Sequence, residues 1–262
     1  MKQRLWPHSV VVLCAVAVVQ ACGNPAPSAL SPSTHPQSAA TSGVTAMATT
    51  TAPSDNAGSV GQSGGHQYSV RMDAIDGATA DGTGTWKAQA GQLVGGDERV
   101  ANAFNTASRN SVTRLINDAR ADAHSNSWSL QATSTVTFQP AALSQLVVGV
   151  YYAKGAAHPI YYIATVVIDS RAGQPVTLQS LFTNKQDGLN RLSEKASAIL
   201  GLEDETGLEP TEKNFANWIP TATGFEIHFA DYQLGHGLRV TTIPWPDLAD
   251  LLAPDMTALT QT

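Results

Sequence analysis

Leu146-Val147-Val148-Gly149-Val150-Tyr151-Tyr152 and Ile160-Tyr161-Tyr162-Ile163-Ala164-Thr165-Val166-Val167-Ile168 are joined by Ala153-Lys154-Gly155-Ala156-Ala157-His158-Pro159. The two flanking runs consist almost entirely of β-branched and aromatic side chains, which fit a pleated, half-buried surface. The Gly and Pro in the connection mark a turn, so the segment predicts a long antiparallel hairpin. Successive strand residues point to opposite faces, so one tyrosine of each adjacent pair is expected inside and the other presented outward.

Working outward, Trp128 to Phe138 alternates through Leu130, Ala132, Ser134 and Val136 and predicts a further strand. Glu98 to Ala121 changes period: Val100, Phe104, Ala107, Ser111, Val112, Leu115, Ile116 and Ala119 fall on one helical face. Asp97 and Glu98 stand at its start, where the helix dipole favours acids. Tyr68, Val70 and Met72 alternate as a strand, whereas Ala78 to Gly96 is Gly-rich and shows no period, with Trp86 its one large apolar anchor.

Toward the carboxyl end, Pro175 to Phe182 reads as a short extended piece. Asp187 to Leu200 returns to helical spacing, with Gly201 placed as its stop. Phe225 to Phe229 and Leu238 to Ile243 predict a second hairpin, and Pro246 to Leu252 a short packing helix. Strands that neighbour one another along the chain, without repeated βαβ alternation, predict an α+β fold: a mostly antiparallel sheet with two packing helices over residues 66–255.

The amino-terminal segment has another character. Lys2 and Arg4 precede an apolar run from Val10 to Val19 that is too short for a bilayer span of about 20 residues and fits a secretory signal over residues 1–21. Val19-Gln20-Ala21-Cys22 resembles the bacterial lipobox, whose cysteine is diacylated before cleavage. Cys22 is therefore expected to carry the lipid and to hold the chain on the extracytoplasmic face of the cell membrane. The competing reading is cleavage near Ala21 without acylation. Residues 22–65 are rich in Ala, Ser, Thr, Pro and Gly, with no Lys, Arg or aromatic residue, and are expected to form a disordered tether.

The chain has two cysteines, Cys14 in the signal and Cys22 at the lipid site. The predicted domain thus contains none, which excludes thiol catalysis, thiolate metal sites and disulfides within it. The formal charge of −6 grows more negative once Lys2 and Arg4 are removed, which argues against nucleic acid as a partner.

Gly61-Gln62-Ser63-Gly64-Gly65 satisfies the letters of the G-x-S-x-G nucleophile pattern. That chemistry needs a strained strand-to-helix turn with an oxyanion hole beside it. Inside a tether neither is expected, so linker composition accounts for the match. His158, His228 and His236 could combine with Asp169, Glu226 or Asp231 as a general base or metal site, but their spacing follows no ligand pattern, and no metal or other cofactor is assigned. His158 is expected to cap its hairpin, and His236, between Gly235 and Gly237, to occupy a tight turn. Trp218 and Trp245, each close to prolines, are expected to seal the ends of the core.

Tyr151-Tyr152, Gly155-Ala156-Ala157-His158-Pro159, Asp169, Gly173, Pro175-Val176-Thr177-Leu178 and Leu181-Phe182 form an ordered constellation. It continues in Asn217-Trp218, Gly224-Phe225, Tyr232-Gln233-Leu234-Gly235, Gly237 and Ile243-Pro244-Trp245. This resembles the RsiV-like extracytoplasmic domain family and the mycobacterial MPT-type secreted antigens over roughly residues 68–252. The resemblance implies an outward-facing domain that binds a protein such as lysozyme, or a wall component. It also brings in the esterase activity proposed for some relatives. The n-region here is only a few residues long and no spanning helix follows it, so a cytosolic sigma-factor segment is not expected.

Two classes of function follow. One is a non-catalytic envelope lipoprotein whose domain binds a protein or wall-derived ligand, with Tyr152, His158, Tyr232 and His236 as candidate contacts. The other is an envelope esterase, which would need Ser180 or Ser193 close to His158 or His236. A secreted antigen-like protein without a tight ligand is a third reading.

Overall fold

The expected helix forms over the predicted span. In the computed structural model, which describes residues 55–123, 127–202 and 207–261, α1 runs Glu98–Ala121 and is capped by Asp97, whose side chain accepts from Val100 N. Its buried stripe includes Val100, Phe104, Ser111, Val112, Leu115, Ile116 and Ala119, the face set by the 3.6-residue period. The signal segment, Cys22 and the tether through residue 54 lie outside the described residues.

Under α1 lies an eight-stranded sheet. Its strands are β1 (Val60–Ser63), β2 (His66–Ala74), β3 (Gly77–Ala78), β4 (Gly84–Val94), β5 (Trp128–Gln139), β6 (Ala142–Ala153), β7 (Ile160–Asp169) and β8 (Gln174–Pro175). Their spatial order is β1-β2-β4-β5-β6-β7-β8, with β3 pairing on β4. Every pair is antiparallel except β4 with β5, which run parallel because α1 carries the chain from one to the other. The fold is therefore α+β with a mostly antiparallel sheet, and one βαβ unit sits inside it that the sequence pattern did not show. The predicted hairpin is β6–β7, in register from Ala142↔Asp169 to Tyr151↔Ile160.

A second sheet, ordered β11-β10-β9, is built from β9 (Trp218–Pro220), β10 (Gly224–Phe229) and β11 (Arg239–Pro244). With the one-turn α2 (Leu178–Leu181) and α3 (Lys185–Leu200) it forms a C-terminal layer. α3 ends as predicted, at Gly201 in the left-handed conformation. Instead of a helix over 246–252, the chain makes 3₁₀ turns at Trp245–Asp247 and Pro254–Thr260.

The main sheet is buried on both faces around β7. Val166 and Ile168 join the cluster under α1, while Val167 between them joins the C-terminal core with Phe225, Ile227, Leu192 and Trp245. Small residues let α1 lie close: a Cβ added at Gly149 would stand 3.0 Å from Leu115. Midway along this interface sits a buried polar knot. Gln145 Oε1 accepts from Gly91 N and from the Ser108 hydroxyl, both at 2.7 Å, and Gln145 Nε2 donates to Ser111 Oγ at 3.1 Å. Trp218 and Trp245 are buried in the C-terminal core, Trp218 stacked on Phe225 at 4.4 Å.

Other expectations need correction. The ordered domain does not begin at residue 66: Asn56 exchanges hydrogen bonds with the backbone of Val136, and Val60–Ser63 is a sheet strand. Ser63 is buried yet polar, so the strand carries no apolar signature. The domain also runs past residue 255, since Leu259 is buried in the C-terminal core. Pro175 to Phe182 is extended only at its ends: Thr177 and Ser180 form a capping box that starts a helical turn over Leu178–Leu181. The Gly-rich stretch after Ala78 contains β4, whose inward residues Ala88 and Ala90 are small because α1 presses on them. Among the described residues, no helix is long and apolar enough to cross a membrane.

Candidate functional site: two imidazoles and a phenol on a buried carboxylate

The loop after β10 carries Asp231, whose side chain is fully buried. β8 pairs only with Ile168 and Asp169, so the far end of β7 keeps a free edge, and there Tyr161 N donates to Asp231 Oδ2 at 3.1 Å. Asp231 Oδ1 accepts from Gly237 N at 2.6 Å and faces His236 Nδ1 at 3.1 Å. One carboxylate thus closes the loop on itself and docks it to the main sheet. A carboxylate can only accept, so in the neutral ring His236 Nδ1 carries the proton and Nε2 keeps its lone pair.

The same loop holds Tyr232 at φ +66°, the one non-glycine residue with positive φ among the described residues. Gly235 and Gly237, both at φ +93°, take left-handed backbone readily, but a tyrosine there carries a cost of about 1–3 kcal/mol. Neighbouring bonds hold it. Tyr232 N donates to Gly235 O at 2.9 Å, and the Gln233 amide donates to Gly207 O and Asn214 O at 2.9 and 2.8 Å. Leu234 is buried beneath.

Across from this loop stands the β6–β7 connection carrying His158. Its ring centre lies 4.3 Å from that of His236 and 6.1 Å from that of Tyr232. His158 Nδ1 is 3.2 Å from Pro159 O, and its Nε2 is 3.2 Å from Tyr232 Oη. Pro159 O can only accept, so with that bond made His158 also carries its proton on Nδ1; Tyr232 Oη lies 3.2 Å from Nε2 and 3.5 Å from Nδ1, beside the ring and off the Nε2 lone-pair axis. All three rings are exposed. The structure therefore brings together three of the four predicted contacts, His158, Tyr232 and His236. Tyr152, 46% exposed on β6 opposite Ser129 of β5, joins them by no hydrogen bond or ring contact. Its neighbour Tyr151 is buried, as alternation requires, while Tyr161 and Tyr162 are both half-buried.

The remaining carboxylates and hydroxyls are engaged elsewhere. Asp169 forms a bidentate pair with Arg171, at 3.0 and 2.8 Å, and Glu226 pairs with the buried His228 at 2.9 Å. Ser63 is a buried hairpin residue bonded to Gln139 O and Ser170 Oγ, and the glycines after it form the turn, at φ +59° and +77°. The G-x-S-x-G letters thus belong neither to a tether nor to a nucleophile elbow. Ser180 Oγ is held in the α2 capping box, and Ser193 Oγ donates to Leu208 O at 2.6 Å. No serine hydroxyl among the described residues bonds to His158 or His236. Among these residues, no three His, Cys, Asp or Glu side chains gather as a metal centre. A cleft of about 320 Å³ between β3, β4 and β5, with Asp76, Trp86, Lys87 and Gln131 on its walls, contains none of the predicted residues. What the sequence reading missed is Asp231 as the support of the cluster.

No protein-family model and no curated protein sequence matches this chain. Solved structures do. A member of the DUF3298 family from Bacteroides fragilis is 14% identical, with a TM-score of 0.52 over 73% of this chain and 97% of its own. A DUF3298 family protein from Pseudomonas aeruginosa is likewise 14% identical, with a TM-score of 0.50 over 74% of this chain and 97% of its own. The chain shares its fold with these two DUF3298 proteins.

Proposed function

We propose that this chain is a non-catalytic extracytoplasmic lipoprotein, anchored through Cys22, whose RsiV-like domain binds a protein or wall-derived ligand through the face carrying His158, Tyr232 and His236. The observation that supports this best is the setting of Tyr232. A large amphipathic ring, 54% exposed, is held in costly backbone by a loop that a buried carboxylate fixes to the sheet. Rigid, exposed aromatic side chains bind with little further loss of entropy. Strain of this kind collects at functional positions.

The test is titration of the full chain with lysozyme and, separately, with soluble peptidoglycan fragments. Tyr232→Ala should weaken binding of the true ligand at least about tenfold, as loss of a central aromatic anchor does. Equal binding by the variant, or no binding to either class, overturns the assignment. The anchor is tested on its own. Cys22→Ser should move the protein from the detergent phase to the aqueous phase, and an unchanged partition removes the lipid from the account.

One observation favours the esterase reading, namely that Asp231 orients His236 as a carboxylate orients a catalytic base. No serine hydroxyl bonds to that imidazole among the described residues. Turnover of short acyl esters that disappears in His236→Gln would restore the reading.

A further inference from the structure

We propose that His158, His236 and Tyr232 form an open-sided site for a divalent transition-metal ion of the copper–zinc class. The two imidazoles come from separate hairpins, yet their centres are 4.3 Å apart and tilted by 42°. With metal–nitrogen bonds of about 2.1 Å, two imidazoles in adjacent coordination positions have ring centres roughly 4.5–5 Å apart. The pair therefore needs only a small adjustment to share one ion. Donor atoms in adjacent positions then lie about 3.0–3.4 Å from each other; Tyr232 Oη, 3.2 Å from His158 Nε2 and 3.5 Å from its Nδ1, has to swing toward the lone-pair side of the ring to complete the set.

The proton positions favour the same use. Each imidazole places its Nδ1 against an oxygen acceptor, Pro159 O for His158 and Asp231 Oδ1 for His236. Each thereby keeps Nε2 as the lone-pair nitrogen. A ligating histidine whose other nitrogen donates to a carboxylate is the usual outer-shell arrangement, and it fixes the tautomer and raises ligand basicity. Asp231, fully buried and already bonded to two backbone amides, holds that partner rigidly. Two nitrogens and one phenolic oxygen leave coordination positions open to solvent or to a donor from outside. Imidazole and phenol donors suit Cu²⁺ first and Zn²⁺ after it.

This site requires no protein or wall partner, so its test is separate from that of the binding function. The full chain, with its thiols alkylated, is titrated with Cu²⁺ and followed by competition with a chromophoric chelator and by electron paramagnetic resonance. One ion is expected to bind with hyperfine structure from two nitrogens. His158→Ala and His236→Ala should each weaken that ion at least about tenfold and reduce the nitrogen count by one, and Asp231→Asn should weaken it by about tenfold. His158 is exposed and its polar contacts are to Pro159 O and the exposed Tyr232 hydroxyl, so His158→Ala is a variant expected to fold. A Cu²⁺ isotherm unchanged within twofold in His158→Ala, or a spectrum with the same nitrogen count, overturns the site.

Discussion

Asp231 Oδ1 stands 3.1 Å from His236 Nδ1, and the carboxylate that makes this contact is wholly buried although the histidine is half exposed. The same side chain satisfies the amides of Tyr161 and Gly237. Asp231→Ala would leave those two donors without their acceptor, and each orphaned buried group costs about 1–3 kcal/mol. A loss of unfolding free energy of that order in urea, with faster hydrogen exchange at the Tyr161 and Gly237 amides, is expected. Unchanged exchange at both amides would show that the carboxylate does not hold the loop to β7.

Tyr232 separates stability from function. Gly at this position would relieve the left-handed strain, so Tyr232→Gly should hold or raise stability by about 0.5–1 kcal/mol while losing the ligand. Tyr232→Val puts a β-branched side chain at the same φ and should lower stability by about 1–3 kcal/mol. Chemical denaturation of the two variants checks the contrast. Equal stabilities would mean that the backbone at this position carries no strain.

Gln145 tests how α1 is fixed to the sheet. Gln145→Leu preserves volume but removes the acceptor for both Gly91 N and the Ser108 hydroxyl. The loss should be about 1–3 kcal/mol, because the amide of Gly91 cannot turn to another partner. Adding Ser108→Ala removes one orphaned hydroxyl and should recover part of the loss. A double variant no more stable than Gln145→Leu alone would place the cost in packing instead.

These results bear on what the sequence could show. α1 was legible because twenty-four residues repeat one period, and β6–β7 because its branched and aromatic runs are long. β4 was not, since of the residues it buries only Leu93 is large, the others being Gly84, Ala88, Ala90 and Gly91. β1 was hidden for a related reason: what it buries is Ser63, whose partners are backbone carbonyls and another serine. The four residues of α2 are too few for a period, although its capping Thr177 and Ser180 were in plain view. His158 and Tyr232 lie 74 positions apart and meet only because the second sheet docks beside β7. No local pattern encodes that docking, and Asp231, which fixes it, stood in the sequence as one acid among several.

Asp169 and Arg171 give the last prediction a definite sign. Burial pushes the Asp169 carboxyl up, but the guanidinium and backbone amide of Arg171 outweigh it and hold the group below the ordinary carboxylate range. A carboxyl depressed in the folded state contributes stability that is complete above its unfolded value of about 3.9 and lost as pH falls through the folded value. In Arg171→Ala the carboxyl loses its guanidinium partner and keeps only the backbone amide, so its affinity for a proton should rise. Arg171 also donates to Asp255 O at 2.6 Å, a bond that protonation of Asp169 does not remove directly. The stability difference between the native chain and Arg171→Ala should therefore be largest near neutral pH and shrink as the pH falls below about 4, leaving a residue from the Asp255 contact. Unfolding free energies measured from pH 7 to pH 2 decide it. A difference that stays constant across that range would mean the ion pair adds nothing through the charge of Asp169.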